Sequence, residues 1–274
     1  MTNNLYYNQS EYDIKCEWGL RGVDALADVT DVFIIIDILS FSSCVDICVS
    51  NGAEVYPFPY NDKTAEDFAN SIGAELAVSR KDNPTGEKYS LMLSSLQKIP
   101  KGNKLVLPSP NGSAISFEVK NKPVICGSLR NAKAVADYAM RNYERISLIP
   151  AGEKWEDGSM RFAVEDLIGA GAIISYLNGL LSPESLSMLA VYDHFKNKIS
   201  ATISATSSGK EHKSVFDSFK KNIAGVLKVS SSGKELIKRG FEKDIEIASD
   251  LNLSKSVPVL IENRFVNAFT LKTL

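Results

Sequence analysis

The stretch Val32-Phe33-Ile34-Ile35-Ile36 constrains this chain more than any other. Five consecutive β-favouring apolar residues with no polar face form the pattern of a central strand covered on both sides. Such a strand needs a sheet with helices packed on it. Further strand patterns lie at 54–58, 75–78, 104–107, 123–126, 145–149 and 257–261. Helical patterns lie at 43–50, 64–72, 113–119, 131–142, 162–177, 183–196, 210–224 and 233–251, the last with a break near Gly240. This alternation predicts an α/β fold with a largely parallel or mixed sheet and a helix-rich portion over 183–251. Helix starts carry capping signals: Thr64-Ala65-Glu66-Asp67, Ser182-Pro183, Ser208-x-x-Glu211 and Ser232-x-x-Glu235. Ser-Ser-Gly-Lys-Glu occurs at 207–211 and again at 231–235, which reads as repeated capping chemistry.

Composition narrows the class. The 274 residues are 44% hydrophobic and 23% charged, an ordinary globular balance that excludes disordered and disulfide-scaffold proteins. We expect a single unit over 1–274. Lys and Arg number 31 against 33 Asp and Glu, a net charge of −2, which leaves no electrostatic footprint for nucleic acid. Cys16, Cys44, Cys48 and Cys126 are scattered and read as reduced, buried thiols of a cytoplasmic protein. Residues 1–10 are polar and do not read as a signal peptide. The uncharged stretch 167–183 falls short of a membrane span and reads as a buried helix.

Several chemistries lack their motif. The two histidines, His194 and His212, have no zinc-ligand spacing with the cysteines. Both Gly-Lys pairs are followed by Glu, so there is no P-loop. No Gly-x-Ser-x-Gly elbow is present. A phosphatase of the haloacid-dehalogenase type needs a second Asp two residues after the strand-end Asp, and Leu39 stands there.

Four strand-end segments carry polar groups, on the edge where open α/β sheets bind ligands. Asp37 ends the central strand and reads either as a Mg²⁺ ligand or as a helix N-terminal acid stabilised by the dipole. Asn111, Gly112 and Ser113 form a turn before a helix, either an anion nest or an ordinary strand-to-helix turn. Ser128 and Arg130 read as a phosphate clamp, against a cap plus a surface arginine. The segment 149–166 holds Glu153, Lys154 and Arg161, then the adjacent acids Glu165 and Asp166 at the start of an apolar helix. Neighbours on a helix point about 100° apart, so only one of those acids can face fully into a given site. Together the four segments suggest a metal-assisted anion site, with phosphoryl chemistry the natural guess.

These residues resemble the 2-phosphosulfolactate phosphatase family. The matching pieces are Ile36-Asp37-Ile38-Leu39, Asn51-Gly52-Ala53, Pro110-Asn111-Gly112-Ser113, Gly127-Ser128-Leu129-Arg130-Asn131-Ala132 and Ala151-Gly152-Glu153. Glu165-Asp166-Leu167-Ile168-Gly169-Ala170-Gly171-Ala172 and Ser232-Gly233-Lys234-Glu235-Leu236 through Gly240-Phe241-x-x-Asp244 follow in order. The resemblance implies a three-layer α/β/α sandwich. It also implies Mg²⁺-dependent hydrolysis of a phosphate ester on a small sulfonated acid, 2-phospho-3-sulfolactate, a step of coenzyme M biosynthesis in methanogens.

Three positions depart from the family's pattern. The arginine after Asp-Val-Leu is Ser40 here, the acid of Gly-Glu-Arg is missing before Arg80, and the arginine after Asn-Gly-Thr is Ala114. This pattern is that of a distinct branch, acting on another small phosphorylated acid or binding one without turnover. In the leading reading Asp37, Glu165 and Asp166 are catalytic and hold Mg²⁺. Arg80, Asn111, Gly112, Ser113, Ser128, Arg130, Glu153 and Arg161 bind substrate. No nucleic-acid or membrane partner is expected, and a homodimer is a possible assembly.

Overall fold

The computed structural model describes residues 6–83, 86–201 and 223–273. Its strands are β1 (Ile14–Cys16), β2 (Val32–Ile36), β3 (Glu54–Phe58), β4 (Glu75–Leu76), β5 (Lys104–Pro108), β6 (Val124–Gly127), β7 (Ile146–Pro150), β8 (Glu153–Lys154), β9 (Met160–Arg161), β10 (Pro258–Ile261) and β11 (Arg264–Asn267). Its helices are α1 (Gly19–Leu26), α2 (Phe41–Ser50), α3 (Lys63–Ile72), α4 (Leu93–Leu96), α5 (Gly112–Glu118), α6 (Ala132–Asn142), α7 (Val164–Ile174), α8 (Pro183–Ala201), α9 (Ile223–Val229), α10 (Ser231–Lys238) and α11 (Glu242–Ala248). Helices flank a large central sheet, the α/β architecture expected.

The sheet order is β1-β7-β2-β6-β10-β11-β3-β5-β4. The unbroken apolar run became β2, buried at every position and parallel to both neighbours, β7 and β6. The sheet is mixed because the hairpin β10–β11 runs antiparallel between two parallel blocks. Its two-residue turn, Glu262-Asn263, has positive φ at both positions (48° and 63°), as a type I′ turn requires. Each hairpin strand meets its block at one paired position, Val259 with Ile125 and Phe265 with Val55. Those sparse joints let the sheet bend round α2, which packs on β3, β6, β10 and β11. The carboxyl ends of β2 and β5 are thereby brought together, and the Gly112 amide donates to Asp37 Oδ2 at 2.8 Å.

Helix α2 is buried from Phe41 to Val49, so its polar residues need partners inside the protein. Ser42 and Ser43 donate to the carbonyls of Asp37 and Ile38, each at 2.8 Å. Asp46 is met by Arg130, at 3.0 Å from Nε. The small-residue run in α7 allows α8 to approach closely. A Cβ on Gly171 would lie 2.3 Å from the Met188 carbonyl oxygen and 2.6 Å from Tyr192 Cβ. Gly171→Ala is therefore expected to destabilise the fold by about 1–3 kcal/mol, because backbone must move to admit one methyl. A denaturation midpoint equal to that of the parent would show that α8 yields freely.

Some local expectations are corrected. The cap of α3 is Asp62, whose side chain accepts from the Thr64 and Ala65 amides, so Thr64 lies inside the helix. Ser230, not Ser232, caps α10. Ser182 does cap α8, accepting from the Ser185 amide at 3.1 Å. The uncharged stretch is helical only to Ile174, and the chain then turns through Gly179 at φ 145°. Most of the helix expected over 210–224, with Ser208, Glu211 and His212, lies outside the described residues. Among the described residues no helix is long and apolar enough to cross a membrane.

Candidate active site

Asp37 stands where β2 ends and α2 begins. Its Oδ1 accepts from the Phe41 amide at 3.2 Å and its Oδ2 from the Gly112 amide at 2.8 Å. One carboxylate thus ties the start of α2 to the start of α5. A Cβ at residue 112 would sit 2.8 Å from both Asp37 Cβ and Oδ2, so glycine is needed for that approach. The side chain before it, Asn111, reaches the other way and donates Nδ2 to Glu153 Oε2 at 2.8 Å. Glu153 is held on the small hairpin β8–β9, opposite Arg161 in register.

Asp166 supplies a second clasp. Its Oδ1 accepts from the Ile38 amide at 2.7 Å and its Oδ2 from the Gly152 amide at 3.0 Å. It fastens the loops after β2 and β7 to the first turn of α7. Glu165 beside it is equally buried.

Asp37, Glu153, Glu165 and Asp166 form one electrostatic group. Burial pushes the Asp37 carboxyl up, offset in part by its two amide donors and Arg80. Burial, then the nearby charges of Asp37 and Glu165, push Asp166 well above the usual carboxylate range. Glu153 is raised to about 7 by burial first and then by Asp37, with Glu165 adding to the shift. Clustered carboxylates of this kind favour a proton or a cation among them.

The cations come from the walls. A cleft of about 160 Å³ is lined by Asp37, Ser40, Arg80, Glu153, Ser232 and Arg239, among others. Arg80 Nη2 donates to Ser40 Oγ at 2.7 Å and to the Leu91 carbonyl at 2.6 Å, and its guanidinium lies 5.9 Å from the Phe241 ring centre. Ser40 at the start of α2 is thus held against the Arg80 guanidinium. Arg161 Nη2 touches Ser232 Oγ at 3.4 Å, and Arg239 pairs with Glu235 at 3.2 Å.

The expected site residues divide accordingly. Asp37, Arg80, Asn111 and Glu153 line the cleft, and Arg161 sits at its rim. Glu165 belongs to the carboxylate group, and both oxygens of Asp166, like both of Asp37, accept from backbone amides. The Gly112 amide is spent on Asp37 and is not a free anion donor. Ser113 is fully buried and bonds the Phe58 and Leu107 carbonyls, pinning α5 to β3 and β5. Ser128 is a capping residue whose amide and hydroxyl both donate to Asn131 Oδ1. Arg130 is an internal ion-pair partner, bound to Asp46, Asp250 and the Ile247 carbonyl. Ser113, Ser128 and Arg130 are thus engaged within the fold and are not among the residues lining the cleft. Among the described residues no three acidic, His or Cys side chains form a ready metal cluster, so the trio Asp37, Glu165 and Asp166 is not a preformed cage.

Sequence reasoning missed Ser40, Ser232, Glu235 and Arg239 as cleft residues. The signal was present in the matched segment from Ser232 to Asp244, which capping alone does not explain. Asp244 accepts from the Leu93 and Ser94 amides, both at 3.0 Å, ordering the segment that carries the Leu91 carbonyl under Arg80.

Comparison with known proteins places the chain among phosphatases of one family. A family model described as 2-phosphosulpholactate phosphatase matches residues 22–263. The chain is 28% identical over 240 residues to a probable 2-phosphosulfolactate phosphatase of Thermotoga maritima, covering 85% of this chain and 90% of that protein. It is 28% identical over 153 residues to the 2-phosphosulfolactate phosphatase of Methanocaldococcus jannaschii, covering 54% and 65%. A probable 2-phosphosulfolactate phosphatase of Carboxydothermus hydrogenoformans is 31% identical over 147 residues, covering 53% and 59%.

Proposed function

The chain belongs to the 2-phosphosulfolactate phosphatase family, and from that premise we propose that it hydrolyses the phosphate monoester of a small acid to inorganic phosphate and the hydroxy acid. The observation that carries this reading is Glu153, a carboxyl raised to about 7 in a cleft whose wall also presents Arg80 and Arg239. A group that titrates near neutrality can both give and take a proton. Arginine forks suit phosphoryl oxygens and a substrate carboxylate. In the reaction, the bond from phosphorus to the ester oxygen breaks and a water oxygen takes its place. Glu153 delivers a proton to the departing oxygen and recovers one from the water, which closes the cycle.

Mg²⁺ suits the donor set. Hard carboxylate oxygens crowd together here, and Mg²⁺ typically uses one or two carboxylates plus substrate phosphate and water. The absence of a three-ligand cage among the described residues is compatible with that habit. Asp37, Glu165 and Asp166 would supply the oxygens that hold it, with the amide donors keeping the Asp37 and Asp166 carboxylates in place. When bound it would polarise the phosphoryl group and offset the anionic charge. We also place the protein in the cytoplasm, a reading supported by four free, buried cysteines.

The test is phosphate release from 2-phosphosulfolactate, phospholactate, phosphoglycerates and a chromogenic ester, with Mg²⁺ and with EDTA. Metal-dependent release is expected. Asp37→Asn should lower kcat by about 10²–10³-fold, a loss typical of removing one preorganised electrostatic group. The amide cannot accept from both the Phe41 and Gly112 amides, so the two loops part as the charge is lost. Undiminished release in EDTA would remove the metal from the scheme, and binding without release would make this a binding protein.

A further inference from the structure

A second cavity, of about 260 Å³, adjoins the cleft and shares Pro110, Asn111 and Glu153 with it. The Asn111–Glu153 hydrogen bond is common to both chambers. The lining differs in kind from that of the cleft. Leu20, Tyr60, Ala114, Ile115 and Met160 supply apolar surface, and Leu20, Tyr60 and Met160 are exposed there. The charged residues on the lining are Glu118, Glu153 and Lys154, two acids against one base. A sulfonate placed here would lose its hydration to an apolar wall, with Lys154 the one basic side chain on the lining to receive it. Ala114 leaves its part of the wall small and without charge.

We propose that the substrate carries an uncharged, apolar substituent beside its phosphate ester, and that this cavity receives it while the phosphate occupies the cleft. The inference rests on the phosphatase reading and names its substrate class. The space suits a branched aliphatic chain or a phenyl ring, so the ester would be that of a 2-hydroxy acid with a leucine- or phenylalanine-like side chain. Lys154 and Glu118 then stay hydrated at the surface, and the apolar group is removed from water against Ile115 and Met160.

The experiment compares kcat/KM for phosphoglycolate, phospholactate, 2-phospho-3-sulfolactate, 2-phospho-4-methylpentanoate and 2-phospho-3-phenyllactate. Burial of a leucine- or phenylalanine-sized group predicts a gain of about tenfold to a hundredfold for the last two over phosphoglycolate. Ala114→Phe fills the cavity and should bring that ratio toward one. Leu20→Asp, at a solvent-exposed position on the cavity wall, should lower the ratio without placing bulk inside the fold. A ratio near or below one in the parent protein, or a tenfold preference for the sulfonated ester over both apolar ones, overturns the inference while leaving the phosphatase reading intact. If no ester releases phosphate, the phosphatase reading fails. Calorimetric Kd values for phosphoglycolate and 2-phospho-3-phenyllactate then decide this inference: tighter binding of the phenyl ester sustains it, and equal or weaker binding overturns it.

Discussion

Arg130→Met should cost about 3–5 kcal/mol of stability and leave KM unchanged in the protein that still folds. The Asp46 side chain is wholly enclosed, and Arg130 Nε is 3.0 Å from it. Removing the guanidinium leaves a buried carboxylate with serine hydroxyls alone, Ser256 at 2.7 Å and Ser254, to offset its burial. Burial already pushes the Asp46 carboxyl up, with Ser254, Ser256 and Arg130 opposing the shift. Without the arginine its folded pKa rises further. A raised carboxyl contributes stability that is present below its unfolded pKa and lost as pH rises through the folded one. The deficit of the variant should therefore grow with pH and shrink in acid. Replacing both partners together, Arg130→Met with Asp46→Leu, should recover most of the loss, since a well-packed apolar pair often equals a buried ion pair. The measurement is denaturant unfolding at several pH values beside steady-state kinetics. A raised KM with unchanged stability would return Arg130 to the substrate.

Glu153→Gln should lower kcat by about 10²–10⁴-fold, the range expected for loss of a general acid–base group. The isosteric amide can still accept from Asn111, so ligand binding should survive. The same variant reports on stability. The carboxyl is raised from 4.5 to about 7, chiefly by burial and then by the charge of Asp37. Its favourable contribution is complete below about 4.5 and is lost as pH climbs through about 7, a change of about 3 kcal/mol. In EDTA the parent should lose that stability between those pH values. The variant, having no proton to release at residue 153, should lack that part of the slope. Parallel stability curves for the two proteins would show that Glu153 titrates normally, and the proton-transfer role would go with it.

Part of this was legible in the residues. The run from Val32 to Ile36 could be nothing but an interior strand, and it is. The hairpin β10–β11 was half hidden, because Arg264–Asn267 has one buried residue and its turn is Glu-Asn rather than the usual glycine-bearing pair. β1 was missed because Lys15, fully buried between Ile14 and Cys16, breaks the apolar signal. The adjacent acids of α7 illustrate both sides. Helical geometry required them to diverge, and they do, but only the fold shows that Asp166 is the one taken up by the Ile38 and Gly152 amides.

Arginines were the hardest to place. Arg130 follows a strand end in a matched segment, yet it turns to a carboxylate 84 residues away, while Arg239 arrives at the cleft from the helical third. Hydrophobic periodicity is local, so the sequence alone determined the strongly apolar strands, most of the longer helices and the strand-end position of Asp37. A charged side chain takes whatever partner the packed chain brings within a few ångströms. Only the bend of the sheet round α2, which sets Gly112 against Asp37 and Asn111 against Glu153, decided which of these groups share a site.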